Sequence, residues 1–151
     1  MLTTLKQSKM TTPKGMLERL QGLDVGREVK MTIGQTKQLI IDKNQDQLMQ
    51  GIRSDGTEIT PPYTYFTREK KKEKGRDPNI VTLYDTGDFF REMFVDVGSD
   101  VIEIDSMDYK SDDLQEKYGE KVFGLTPDSK EEYVEEALPV LVDKLKEILK
   151  L

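Results

Sequence analysis

The chain has 151 residues, 35% of them hydrophobic and 34% charged, with a formal net charge of −6. That is the length of one domain with a modest core and a more charged surface than usual. It contains neither cysteine nor histidine, which excludes disulfides, thiolate or imidazole metal sites, Ser-His-Asp triads and the common near-neutral proton shuttle.

No apolar run approaches the ~18 residues of a membrane helix, and Met1 to Met10 lacks the apolar centre of a signal peptide. Composition therefore argues for an intracellular or particle-assembled protein and against most hydrolytic chemistry. The charge is unevenly placed. Residues 1–76 hold 15 Lys/Arg against 9 Asp/Glu, a net +6, whereas residues 77–151 hold 8 against 20, a net −12. If the fold keeps these sets on different faces, each subunit carries opposite patches, which favour head-to-tail contacts closing into rings or extending into filaments. The plainer alternative is an acidic solvated helix and one basic loop with no meaning for assembly.

Residues 1–11 are polar and aperiodic and read as a flexible N-terminal arm. Residues 12–151 read as one α+β domain with a long loop at about 53–80. Thr12 and Pro13 suit the cap and first position of a short helix over 13–23, with Met16, Leu17, Leu20 and Leu23 as its stripe. Over 27–50, Val29, Ile33, Ile40 and Leu48, continued by Ile52, recur at helical spacing; Gly34 and Asn44 weaken the pattern, so one helix or two shorter ones are expected, with Gly51 as C-cap. Gln45, Asp46 and Gln47 read as exposed helix surface. Ser54-Asp55-Gly56 is a turn and Pro61-Pro62 forbids regular structure. Within the long loop, Thr67 is positioned to cap a short basic helix over 68–74, ended by Gly75.

Leu83, Phe89 and Phe94 are expected core anchors around a Thr86-Gly87 turn, with Thr86 capping it. Met93, Val95 and Val97 alternate with Phe94, Asp96 and Gly98, Gly98-Ser99-Asp100 turns, and Ile102 and Ile104 alternate again. This predicts a β-hairpin with one apolar face and Asp96, Glu103 and Asp105 on the other. Asp112 or Asp113 is placed to cap a short helix stopped by Gly119. Thr126-Pro127-Asp128 opens a helix that runs to about Lys150, with Val134, Leu138, Leu141, Leu145 and Ile148 as its stripe and acids early, lysines late. Pro139 predicts a kink or break within it. The sum is an antiparallel hairpin packed by N-terminal helices and a long C-terminal helix.

Candidate functional residues cluster in the basic run. Tyr63, Tyr65 and Phe66 precede Arg68, Lys70, Lys71, Lys72, Lys74 and Arg76. Aromatics beside cations suit single-stranded nucleic acid through stacking and phosphate contacts, but the acidic total opposes general polyanion binding, and a solvated face or a protein-contact loop is the preferred reading. Asp85, Asp88, Asp96 and Asp105, like Asp112 with Asp113, are oxygen donors of the kind that hold Mg²⁺ or Ca²⁺; a metal-dependent enzyme built on the first four is a rival reading. Ser54 to Glu58 lacks the full pattern of a calcium loop, and no phosphate-binding glycine loop is present. No metal and no cofactor are expected.

One ordered set of short motifs stands out: Asp55-Gly56; then Pro62-Tyr63; Thr67 followed by Lys71; and Leu83 through Thr86-Gly87-Asp88-Phe89. This order resembles the virion-morphogenesis, or tail-completion, proteins of tailed bacteriophages, whose pattern is D-G, an aromatic, T-x3-K and L-x-x-T-G-x-L before a hairpin. Phe123-Gly124-Leu125-Thr126 is similar to the F-L-G-L-S stretch that opens that family's last helix. Tyr63 stands where the family usually has tryptophan. The resemblance spans about residues 50–150. It implies a non-enzymatic virion protein, assembled in the host cytoplasm, that forms a homo-oligomeric ring at the head–tail connector, neck or tail terminus. Its partners would be portal or connector and tail-tube proteins, with no membrane, and with nucleic acid near only through the DNA channel. The alternative is a nucleic-acid-binding accessory protein using residues 68–76.

Overall fold

The computed structural model describes residues 12–151; the arm read over residues 1–11 lies outside the described residues. Local chemistry sets the first helix, α1 (Pro13–Gln21): Thr12 Oγ1 accepts the Gly15 amide at 3.2 Å and Pro13 occupies the first turn, where its missing N–H costs nothing. Asp24 caps α2 (Val25–Gln35) by accepting the Arg27 amide at 3.0 Å. A second helix, α3 (Lys37–Met49), follows almost at once.

Of the two arrangements open over 27–50, the pair of helices is found. The break falls at Thr36 rather than at Gly34 or Asn44. Its hydroxyl donates back to the Thr32 carbonyl at 2.8 Å and shares a 2.7 Å hydrogen bond with the Tyr133 hydroxyl. Back-bonding of this kind bends a helix, and the tertiary partner keeps it there. Gly51, at φ +72°, follows the last turn of α3.

The basic helix is α4 (Tyr65–Glu73), one turn earlier than the sequence suggests. Its cap is Thr64, which accepts the Thr67 amide, and Thr67 lies inside the first turn. After the short α5 (Asp88–Arg91) come β1 (Met93–Val97) and β2 (Ile102–Ser106). They pair antiparallel with Met93 opposite Ser106 and Val97 opposite Ile102. Met93, Val95 and Ile104 therefore share one face and Asp96, Glu103 and Asp105 the other, as their alternation predicts. Phe94 falls on the acidic face and is only half-buried. It is not the core anchor expected of it, because the strand period sends it away from Met93 and Val95.

In α6 (Ser111–Tyr118), Asp112 and Asp113 sit in the first turn rather than at the cap, which is Lys110. Gly119 at φ +92° ends that helix, and a single 3₁₀ turn, Glu120–Val122, leads on. Helix α7 (Pro127–Leu149) starts as predicted, with Thr126 Oγ1 accepting the Ser129 amide at 3.2 Å. It runs unbroken through Pro139, so the break that proline allows does not occur. Pro139 lies on an exposed turn, where the Glu135 carbonyl it leaves without a helical donor remains open to solvent.

The architecture is α+β. Helix α7 packs on α1, α2 and α3, and α3 and α2 pack on β1. One core joins Ile40, Ile41 and Leu48 of α3 to Ile59, Val81, Leu83, Phe89, Phe90, Met93, Val95, Tyr118, Val122 and Leu125. Among the described residues, no helix is long and apolar enough to cross a membrane.

Candidate assembly surface

Helix α4 has one buried residue, and it is a lysine. Lys71 is 6% exposed. Its ammonium donates to the Tyr84 carbonyl at 2.7 Å and to Thr82 Oγ1 at 3.3 Å, and stands 4.7 Å from the centre of the Tyr63 ring. The Tyr63 hydroxyl in turn accepts the Thr82 and Leu83 amides at 3.1 and 3.2 Å. Arg76 lies over the Tyr84 ring, 4.9 Å from its centre, and donates to the Asp85 carbonyl at 2.8 Å. Two cations and two aromatic rings thus clamp the segment 82–85, whose buried Leu83 has φ +58°. Satisfied buried charges of this sort fix a loop in one geometry.

The same seam gathers most of the motif residues. Thr86 Oγ1 donates to Asp88 Oδ2 at 2.6 Å and accepts the Asp88 amide, in the turn before α5. Gly87 has φ +89°, and an added Cβ would lie 3.0 Å from the Tyr84 hydroxyl, so only glycine fits there without strain. Phe89 packs on Phe123, with ring centres 5.6 Å apart.

Asp55, Gly56, Phe123, Gly124 and Leu125 form a second junction. The Ser54 amide donates to the Lys121 carbonyl at 2.8 Å, and the Lys121 ammonium reaches Asp55 at 3.2 Å. Asp55 Oδ1 also accepts the hydroxyl and amide of Thr57 at 2.6 and 3.0 Å. The Thr57 hydroxyl, then its amide, hold the Asp55 carboxyl down at about 2, with Lys121 adding to them against a small desolvation cost. A folded pKa below the unfolded one gives stability that is complete above the ordinary aspartate range and fades as pH falls through about 4 toward about 2. We expect an NMR titration of the Asp55 carboxyl to show a midpoint near 2, and Asp55→Asn to flatten the acid-side loss of stability; a midpoint at the ordinary aspartate value would contradict the turn geometry.

Three residues assigned to a contact loop therefore face inward. Tyr63, Lys71 and Arg76 hold the chain's own 82–85 segment, because an amphipathic lysine or arginine buries its stem whenever carbonyls are at hand to receive its charge. The rest of the set is exposed: Tyr65 by 79% and Phe66 by 68%, with Arg68, Lys70, Lys72 and Lys74. Arg68 donates to Asn79 Oδ1, Lys72 pairs with Glu69 and Lys74 with Asp85. The Lys74 hydrogen bond lowers the Asp85 carboxyl against some desolvation. Lys70 stands 4.5 Å from the centre of the Phe66 ring and makes no ion pair among the described residues. A cavity of about 410 Å³ opens beneath this helix, with Phe66, Lys70, Lys74, Asp88 and Lys110 on its walls; its charges are mixed.

The carboxylates of the metal reading do not converge. Asp85 pairs with Lys74, Asp88 with Arg91, and Asp105 accepts from the Ser106 amide, Ser111 and Gln115. Among the described residues, no group of three or more His, Cys, Asp or Glu is placed to hold an ion.

The exposed surface of α7 is acidic and partly apolar. Lys43 takes Glu136 at 2.7 Å and Glu132 at 3.3 Å, and the Glu136 hydrogen bond chiefly raises its pKa. Glu131 and Glu135 make no ion pair among the described residues. Beside them Val134 and Leu138 are 54% and 50% exposed. With Val29, Ile33, Tyr133 and Leu141 they line an apolar groove of about 190 Å³ between α2 and α7.

Sequence reasoning missed a third set of residues. Asn44 is fully buried; its amide donates to the Val122 carbonyl at 3.0 Å and its carbonyl oxygen accepts the Gly124 amide at 3.2 Å. Gln47 donates to the Gly124 carbonyl at 2.9 Å and accepts the Thr126 amide at 2.8 Å. Gln45, half-buried, donates to the Phe90 carbonyl at 2.9 Å. Gln45 and Gln47 are thus not surface, whereas Asp46 is exposed. The available signal was position: Asn44 and Gln47 share the helical stripe of Ile40, Ile41 and Leu48. Arg53 spans Tyr118, Glu58 and Thr60 carbonyls in the same structural role. No family model, curated protein or solved structure matches this chain.

Proposed function

We propose that this chain is a non-enzymatic structural subunit of a tailed-bacteriophage virion. It assembles in the host cytoplasm into a ring at the head–tail connector, neck or tail terminus, between portal or connector and tail-tube proteins. The observation that carries the reading is the separation of its exposed surfaces. An aromatic, cationic helix α4 stands on one side and an acidic, apolar stretch of α7 on another, while the conspicuous motif residues are spent on holding loops in place. The motif order in residues 50–150 supplies the phage context. Opposite patches on one subunit make heterologous contacts, and such contacts close into rings when the rotation permits.

The test is the mass of the purified full-length chain in solution, alone and mixed with portal and tail-tube proteins, together with the protein content of mature particles. We expect a multi-subunit species or a complex with a neighbour, and the chain in the particles. A strict monomer that ignores both partners and is missing from particles overturns the reading.

A second reading, a nucleic-acid-binding accessory protein, is favoured by the exposed Tyr65 and Phe66 beside Arg68 and Lys70. Lys70→Glu with Lys72→Glu separates the two. Loss of single-stranded DNA binding with assembly intact selects the second reading; loss of assembly selects the first.

A further inference from the structure

Many large apolar side chains are exposed, and two sets of them, on α4 and α7, stand beside charged residues. On α4, Tyr65 and Phe66 are both exposed, with Lys70 against the Phe66 ring. Arg68 is bonded only to a neutral amide among the described residues. On α7, Val134 and Leu138 rim a groove closed at its base by Ile33, Ala137 and Tyr133. Glu131 and Glu135 are three residues before Val134 and Leu138 respectively, so they flank that rim on the helix surface.

One patch is aromatic and cationic; the other is an aliphatic groove flanked by carboxylates that make no ion pair among the described residues. Large aromatic side chains entering apolar pockets, with charge pairs at the edge, are the usual anchors of protein interfaces.

We infer that Tyr65 and Phe66 of one copy seat in the α2–α7 groove of the next, with Arg68 and Lys70 against Glu131 and Glu135. The inference rests on the assembly reading above and names its contact surface. The two surfaces are different patches of the same subunit, so the contact is heterologous: every copy offers both and the chain of contacts continues until it closes.

Mass photometry and sedimentation of the full-length chain test it with exposed-site variants that leave the core intact. The wild type is expected to assemble beyond a dimer. Tyr65→Ser with Phe66→Ser, and separately Leu138→Glu, each remain monomeric alone. Mixed one to one, these two give a heterodimer and nothing larger, because one intact knob and one intact groove remain. Lys70→Glu and Glu135→Lys each weaken assembly by about tenfold, and the two together in one chain recover most of it.

Wild-type assemblies that all these variants leave unchanged overturn this contact and leave the ring reading standing. A wild type that is monomeric yet binds a tail protein through Leu138 overturns the self-contact and assigns the groove to that partner. Loss of single-stranded DNA binding as the sole effect of the Tyr65 and Phe66 changes assigns the knob to nucleic acid. The particle content measured above decides the ring reading separately.

Discussion

Replacing Asn44 by alanine is expected to lower the unfolding free energy by about 2–4 kcal/mol, from two lost hydrogen bonds and a small cavity. Asn44 is fully buried and, among the described residues, is the side chain that bonds both the Val122 carbonyl and the Gly124 amide. Alanine leaves that donor and that acceptor without this partner, and the cost of an unmade buried hydrogen bond exceeds the gain of a made one. Val122, itself fully buried, and Leu125 are held by these bonds, so the variant loosens the approach to α7 as well as the core.

Gln47→Ala removes the adjacent pair of bonds, to Gly124 and Thr126. Because the two amides grip one short segment, the double variant should cost less than the sum of the singles. Urea unfolding of the three variants, with slopes compared, measures this. A change for Asn44→Ala of under about 0.5 kcal/mol, the range of ordinary surface substitutions, would show that the clamp is not formed.

The second large effect is at Lys71. Lys71→Met keeps the length and the apolar stem but removes the ammonium that serves the Tyr84 carbonyl and Thr82. Hydrogen bonds to a charged group contribute about 1.5–3 kcal/mol, and a desolvated cation over a ring adds to that. We expect a loss of about 2 kcal/mol at least. The loss should also be local: amide exchange over 79–87 should accelerate more than exchange in α3, since the clamp is the buried tie between that segment and α4, whereas Arg68–Asn79 and Lys74–Asp85 lie at the surface. Lys72→Met, one position along and paired at the surface with Glu69, is the control and should change stability by no more than about 0.5 kcal/mol. Equal effects at 71 and 72 would contradict the inward placement of Lys71.

These two residues also show where reading along the chain stops. Lys71 sits in a run of lysines that looks alike at every position, and periodicity cannot say which one turns in. The turn depends on Thr82 and Tyr84, eleven and thirteen residues away, presenting oxygens at the right height. Asn44 lowers the apparent quality of a helix by its composition, yet it lies on the buried stripe, and its partners are almost eighty residues distant. Polar residues at core positions are legible as such only when the groups they satisfy are known. Of the proposed contact surface, the basic run with Tyr65, Phe66, Arg68 and Lys70 stands out in the sequence, whereas the α2–α7 groove needed two helices to be brought side by side.

What the sequence determined by itself were the features whose causes lie within a turn or two of chain. Hydroxyl caps before proline at Thr12 and Thr126, alternation in 93–97 and 102–106, and the glycines that end α3 and α6 each satisfy backbone groups locally, so the helices, the hairpin and the α+β class follow from them. What only the tertiary structure decided were the features set by burial: the helix break at Thr36 against Tyr133, the inward turn of Lys71, and the inward placement of Asn44 and Gln47. In each, contact with a distant segment outweighs the local preference.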